Sequence, residues 1–308
     1  YHVVRWPHCL YRGRIEVTRS VSIATSGISM ADVIAVARHH ATVEVSQEAL
    51  TAVAATRAHI DRLAASPDPV YGVSTGFGAL ANRHVTPELR TQLQRSLIRS
   101  HAAGMGPAIE QEVVRALMLL RLKTLCSGRT GVRPEVVTTL AALLNAGITP
   151  VVHEHGSLGC SGDLAPLAHC ALVLMGEGRA TGSDNVERPV PQLLAEAGIS
   201  PLELQEKEGL ALINGTDGML GMLILAIADL EVLCDSADIT AAMSVEALLG
   251  TDQVFLPELH LPLRPHPGQA TSAAHMLTCL AGSEVVASHR DHDDRVQDAY
   301  SLRCAPQV

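Results

Sequence analysis

The chain has 308 residues, 47% of them hydrophobic, 18% charged and only 2% aromatic, with a formal net charge of −9. That is ample for a core and excludes a disordered chain, while the scarcity of Trp, Tyr and Phe disfavours an all-β sandwich and the abundance of Ala and Leu points to helices. No Lys/Arg cluster interrupts the acidic balance, so the electrostatic footprint of a nucleic-acid binder is absent.

Seven cysteines are scattered without a CxxC pair, which suits reduced thiols in a cytoplasm better than a disulfide framework. The longest purely apolar run, 218–228, is shorter than a membrane span of about 20 residues, so no membrane partner is expected. The N-terminus lacks a secretory cleavage pattern. Both ends read as cut, because residue 1 is Tyr and the chain stops at Val308 in an irregular stretch. The expectation is a fragment that is inactive by itself.

Residues 1–27 show mixed polarity and read as an extension or a short strand. Helical periodicity begins near Met30 and resumes after Ser46, a natural N-cap. Pro, Ser and Gly in 66–80 mark a loop. Helices are expected over 86–104, with Thr86 as cap and Pro87 in the first turn, over 110–125, and over 133–147, with Pro134 at the start and Asn145 or Gly147 at the stop. An extended Gly-rich stretch leads to a helix over 163–178, with Asp163 as its N-cap, and then to a polar loop. A long apolar helical stretch from Glu206 to about Leu233 is broken by NGTDG. Helical patterns return at 235–249 and 268–281, separated by a Pro-rich loop. A helical bundle gains nothing from glycine, so the Gly-rich inserts carry the information.

The sharpest insert is GSLGCSGDLAPLAH, 156–169. It fits a flexible turn entering a helix. It also fits a nucleophile, Cys160 or Ser161, at a helix N-terminus. A third reading is a self-made electrophile. In a tripeptide X-Ser-Gly the Gly nitrogen attacks the carbonyl of X, and the Ser then loses water to leave an exocyclic methylidene. Only Gly combines an unhindered nitrogen with the backbone this needs. A helix dipole would favour the oxygen charge that develops when a nucleophile adds there.

GSLGCSGDLAPLAH closely resembles the signature of the aromatic amino acid ammonia-lyases, and further motifs agree with that family in order from about Ile28 to Val308. The resemblance implies a mainly α fold, a fumarase/aspartase-like long helical bundle with a mixed N-terminal region and Gly-rich active-site loops. It makes 28–308 the helical domain, truncated at its C-terminal end. It implies a 4-methylidene-imidazol-5-one (MIO) group formed from Cys160, Ser161 and Gly162, with no external cofactor. Cys in the first place departs from the commonest Ala but contributes only its carbonyl to the ring.

The resemblance assigns the other motifs as well. In YGVSTGFGAL (71–80), otherwise a common Gly-rich loop, Tyr71 becomes the base that removes the β-proton. In RSHAAGMG (99–106), His101 becomes a contact to the substrate ring, and Ser100-His101 resembles the histidine-specific branch. Asn214 of EGLALINGTDG stands beside the MIO group, where many relatives carry Gln at the place of Asp217. In VQDAYSLRCAPQV (296–308), Gln297, Tyr300 and Arg303 share one helical face by spacing. The resemblance has Arg303 hold the substrate carboxylate, Tyr300 assist near the MIO and Gln297 contact the substrate. The expected reaction is elimination of ammonia from L-histidine to give trans-urocanate, the first step of histidine degradation, in a cytoplasmic homotetramer. The alternatives are another MIO lyase or aminomutase acting on tyrosine or phenylalanine, or a non-catalytic helical oligomer of the same fold. The histidine pairs at 153/155, 260/266 and 289/292 lack completing ligands, so no metal is expected.

Overall fold

The computed structural model describes residues 19–157 and 162–308, and these are mainly α. One compact unit runs to Leu225 and a second from Ala226 to Val308. The first opens with β1 (Ser20–Ile23), α1 (Met30–His39) and β2 (Thr42–Val45), the two strands pairing in parallel with Ser20 opposite Thr42. Ser29 starts α1 in a reciprocal cap. Its Oγ accepts from Asp32 N (3.1 Å), and Asp32 Oδ2 accepts from Ser29 N (2.9 Å). There follow α2 (Gln47–Ala65), capped by Ser46, α3 (Pro87–His101), β3 (Met105–Ala108), α4 (Gln111–Cys126) and α5 (Pro134–Asn145). Thr86 holds the N-cap position of α3 but makes no side-chain cap bond. Asn145 ends α5 and fastens it to β2, accepting from Val43 N (2.8 Å) and donating to Val43 O (2.9 Å).

Helix α4 is buried on nearly every face, with Val113 to Leu122 inside. A helix with so little polar surface belongs in the centre, and α1, α2 and α5 pack around it. Within α4, Arg115 is 1% exposed. Its guanidinium donates to Val36 O (3.1 and 2.9 Å) and Leu144 O (3.2 Å), so one side chain ties α1 and α5 to α4. Burial holds its pKa below the ordinary arginine value.

Short strands β4 (Thr149–Pro150) and β5 (His153–His155) lead to α6 (Leu164–Leu174). Beyond α6, the segment expected as a polar loop is a hairpin, β6 (Arg179–Thr181) and β7 (Glu187–Pro189), paired Arg179 to Pro189. Its turn carries Asn185 at φ 60°, which side-chain patterning alone does not disclose. Then come α7 (Val190–Ala197), α8 (Glu208–Ile213) and α9 (Asp217–Ala247).

The two helical stretches expected on either side of residue 234 are one helix, α9, of 31 residues. Within this helix Asp238 pairs with Ser272 and with His275 (3.2 Å). Within Glu208–Ala247 an 18-residue window reaches a mean hydropathy of 1.7, long and apolar enough, by length and composition, to cross a bilayer, and 44% of that window is buried. The run length of 218–228 understated this, because isolated polar residues end a run without much lowering the mean. Along α9, Met219, Leu220, Met222 and Leu223 are exposed, as are Leu230, Val232 and Leu233.

The second unit adds α10 (Pro267–Leu280), α11 (Glu284–His289) and α12 (Tyr300–Arg303). Its core joins Ala242 and Val245 to Phe255, Met276, Leu280, Val286 and Leu302.

Arg115→Ala should lower stability by about 3 kcal/mol or more, since it leaves a cavity and strips donors from two buried carbonyls. Arg115→Met, which refills the volume, should lose less. Urea unfolding of the three proteins checks this order.

Candidate active site

Cys160 and Ser161 lie outside the described residues, but the residues that flank them are held from three directions. Gly162 has φ +146°, and a Cβ there would meet the Gly215 carbonyl oxygen at 2.4 Å, so only glycine fits. The next amide, Asp163 N, donates to that same oxygen at 2.7 Å. Asp163 occupies the N-cap position of α6, as expected, yet its side chain makes no cap bond to that helix. Instead Oδ2 accepts from Gly218 N (2.8 Å) and Met219 N (3.0 Å) at the start of α9, and Oδ1 accepts from Ser157 Oγ (2.7 Å). A carboxylate 1% exposed thus lies at the positive end of the longest helix, satisfying free amides there.

Asn214 opens the NGTDG break expected in the apolar helical stretch. It stands at the C-cap of α8, exposed, in the turn that separates α8 from α9. The turn is braced from below. Arg121 of α4 pairs with Asp217 and donates to Ala211 O (3.1 Å). Thr124 Oγ1 donates to Asp217 Oδ1 (3.4 Å). A side chain at Gly215 would collide with Arg121 Nη2, leaving that guanidinium no room. Asp217 is therefore the counter-charge of a buried arginine. Sequence reasoning did not single out Arg121, because nothing in its helical position marks it among the other arginines.

Tyr71 lies in a turn and is 50% exposed. Its hydroxyl accepts from Gly78 N (3.4 Å), and its ring meets Phe77 edge-on at 6.1 Å. The loop rests on α8, since a Cβ at Gly72 (φ +73°) would lie 2.7 Å from Leu210 Cδ2. Thus α8 carries Asn214 at one end and supports the Tyr71 loop near the other.

His101 is the last residue of α3, which packs on α6 and α8. Its Nδ1 bonds back to Leu97 O (2.9 Å), leaving Nε2 without a partner among the described residues. Just beyond, Gly104 N donates to His169 Nε2 of α6 at 3.1 Å, which requires His169 to be neutral with its proton on Nδ1. Burial, and then the neighbouring His153 (ring centroids 5.3 Å apart), hold the His169 pKa below its ordinary 6.5. His153 donates from Nδ1 to Gly106 O (2.9 Å). His169 ends the signature motif, yet its role as an acceptor is visible only once α6 faces the 102–106 segment.

Gln297, Tyr300 and Arg303 belong to the second unit. The expected single helix is not there. Only Tyr300–Arg303 is helical, because buried Asp298 turns back to accept from Thr251 N (2.7 Å) and holds the chain before Ala299. The three residues still meet. Arg303 Nη1 donates to Gln297 Oε1, and its guanidinium carbon lies 6.0 Å from the Tyr300 ring centroid. Arg303 has no carboxylate partner among the described residues. Among the described residues no three or more His, Cys, Asp or Glu converge as metal ligands. His260 instead bonds Val254 O (3.0 Å) and Gln269 (2.8 Å).

Two outcomes follow from this geometry. Gly162→Ala forces a Cβ into the Gly215 carbonyl at a left-handed φ and should cost about 1–3 kcal/mol, read by thermal unfolding. His169 binds a proton more readily unfolded than folded. Its contribution is intact above pH 6.5 and is lost as pH falls from 6.5 through the depressed folded value. Melting temperature should therefore drop between about pH 7.5 and 5, and His169→Gln, which keeps an acceptor without a titrating ring, should flatten that drop.

The family model for aromatic amino acid lyases matches residues 28–308. The histidine ammonia-lyase of Streptomyces avermitilis is 69% identical over 289 residues, 94% of this chain and 56% of that protein. The histidine ammonia-lyase of Deinococcus radiodurans is 49% identical over 91% of this chain and 53% of that protein. Among solved structures, the tyrosine aminomutase from Streptomyces globisporus superposes with a TM-score of 0.84 at 39% identity, covering 94% of this chain and 57% of that one. The histidine ammonia-lyase from Trypanosoma cruzi superposes with a TM-score of 0.81 at 35% identity, covering 94% and 53%. The chain spans just over half the length of the curated relatives it matches. With a family match across nearly all of its length, and the signature segment built around a glycine-only seat, this chain belongs to the aromatic amino acid lyase family.

Proposed function

We propose that the protein eliminates ammonia from L-histidine to give trans-urocanate, using an MIO group made from Cys160, Ser161 and Gly162. The observation that carries the reading is the seat of Gly162. Cyclisation needs a glycine nitrogen free of a neighbouring side chain, and Gly162 packs against Gly215 where any Cβ would collide. The donor set fits the group. Asp163 N donates to the Gly215 carbonyl beside Gly162, and the buried Asp163 carboxylate fixes the chain directly after that glycine. When formed, the group supplies an electrophilic carbon that makes the substrate nitrogen a better leaving group.

The chain's own residues do the rest. Arg303, without a carboxylate partner among the described residues, receives the substrate carboxylate in a two-pronged contact, with Gln297 beside it. Tyr71 takes the β-proton. The electron pair of the C–H bond becomes the new C=C bond, and the C–N bond opens to release ammonia. His101 offers its free Nε2 to the substrate imidazole. The resemblance to the family assigns Asn214 and Tyr300 to the neighbourhood of the reacting group. High identity to proteins named histidine ammonia-lyase supports histidine over tyrosine or phenylalanine.

The same reading makes the protein a homotetramer of the cytoplasm. The exposed Met219, Leu220, Met222 and Leu223 of α9 support subunit packing, since isolated monomers seldom expose such a stripe. A second reading, an aminomutase, is favoured by the structural match to tyrosine aminomutase.

Intact mass should show the protein lighter by two waters, and Ser161→Ala should restore the unmodified mass and abolish turnover. The purified protein should convert histidine to urocanate and leave tyrosine and phenylalanine untouched. Appearance of a β-amino acid would move the assignment to the aminomutases, and an unmodified mass would end the MIO reading.

A further inference from the structure

Lys207 is unusual in type, in backbone and in company. The chain uses 21 arginines and only two lysines, so arginine is its ordinary cation. The other lysine, Lys123, donates to Thr25 O (3.3 Å). Lys207 holds the N-cap position of α8 at φ 75° and ψ −26°, a left-handed conformation disfavoured for any residue with a Cβ.

Carboxylates stand on both sides of it in sequence, and neither is used to neutralise it. Glu206 lies 3.8 Å from Arg57 and 3.7 Å from Arg90. Glu208 is bound by Arg133 at 2.8 Å and lies 3.7 Å from Arg57. Lys207 Nζ makes no hydrogen bond or ion pair with any described residue. Burial alone holds its pKa below the ordinary 10.5, with no carboxylate opposing that effect. A partly buried ammonium without a counter-charge is costly to keep.

The ammonium faces the Tyr71 loop. A Cβ on Gly72, the residue after Tyr71, would lie 3.9 Å from Lys207 Nζ and 3.5 Å from the Phe77 ring, the same ring that meets Tyr71 edge-on. The strained backbone and the loop-facing charge are independent observations. Together they describe a cation held against the loop that carries Tyr71, with no structural counter-charge among the described residues.

We propose that Lys207 is a positioning residue for the elimination, its ammonium supplying the fixed positive charge that favours Tyr71 in its anionic, proton-accepting form. The proposal rests on the reading of Tyr71 as the base. Lys207 keeps its three protons throughout. The β-proton passes to the Tyr71 oxygen, and the lysine only stabilises the charge that oxygen carries beforehand. A lysine suits this better than an arginine because its charge is a compact point on a slender stem that fits beside Gly72 and Leu210.

The test uses Lys207→Met, Lys207→Arg and Tyr71→Phe in the whole protein. Lys207→Met should lower kcat about tenfold or more while KM for histidine stays within about twofold. Lys207→Arg should recover most of that loss. In the Tyr71→Phe background, Lys207→Met should cause no further loss. Full activity of the Met variant, failure of Arg to rescue, or losses that multiply in the double variant would each overturn the proposal. A second readout needs no turnover. Tyrosinate absorbance, taken as wild type minus Tyr71→Phe, is titrated in the presence and absence of Lys207. The Tyr71 component should move up by about one pH unit or more in Lys207→Met. If no amino acid is converted, the lyase reading fails, and this titration still decides the role of Lys207. A Tyr71 component that does not move rejects that role.

Discussion

The buried carboxylate of Asp163 organises the first unit. It accepts from two amides at the start of α9 and from Ser157, while its own amide holds the Gly215 carbonyl. A helix of 31 residues begins with several unsatisfied N–H groups and a concentration of positive dipole. Placing a carboxylate there answers both needs at once. It also ties Ser157 and Asp163 to the start of α9 and to Gly215, next to the turn that carries Asn214. Without it the buried amides of Gly218 and Met219 would lose their acceptor, and the glycine seat at 162 would lose its wall.

Around this clamp the molecule buries charge repeatedly and settles each charge differently. Arg121 is neutralised by Asp217. Glu208, with no exposed surface, receives Arg133 N, Nε and Nη2 and Gln205 N, and so fixes the first turn of α8. Arg115 has no carboxylate partner among the described residues and relies on two carbonyls. Such groups add little net stability over apolar packing but penalise alternative arrangements heavily, because a broken pair leaves a charge in a poor solvent. They suit a site whose parts come from α3, α6, α8 and the Tyr71 loop and must keep a fixed geometry. Lys207 stands apart from this pattern, since the charges on both sides of it are committed elsewhere.

Exposed apolar residues along α9 complete the picture of a chain whose surface is not all meant for water. Met, Leu and Val recur there on more than one face, so the helix has almost no amphipathic bias and the sequence offered no direction for it. The direction comes instead from contacts, with Gly221 allowing close approach to Ala116 of α4 and Asp238 reaching the side chains of α10.

What the sequence determined by itself was helix content, most helix starts and membership of the aromatic amino acid lyase family. Ser46, Pro134 and Asn145 act where they were expected because capping and proline geometry are local. The signature at 156–169 was legible for the same reason, since it is a run of consecutive residues. Tertiary structure alone decided the rest. Asp163 looks like the cap of the helix it precedes but caps α9, because acceptors serve whichever amides the packing brings near. Gln297 and Arg303 meet without sharing a helix, because Asp298 is drawn toward Thr251. The pairing of Arg121 with Asp217, the acceptor role of His169 and the lone ammonium of Lys207 join residues that are far apart in sequence or depend on what their neighbours leave unpaired. Periodicity and spacing report only on residues a few positions apart, whereas Coulomb and hydrogen-bond partners are chosen by distance in space.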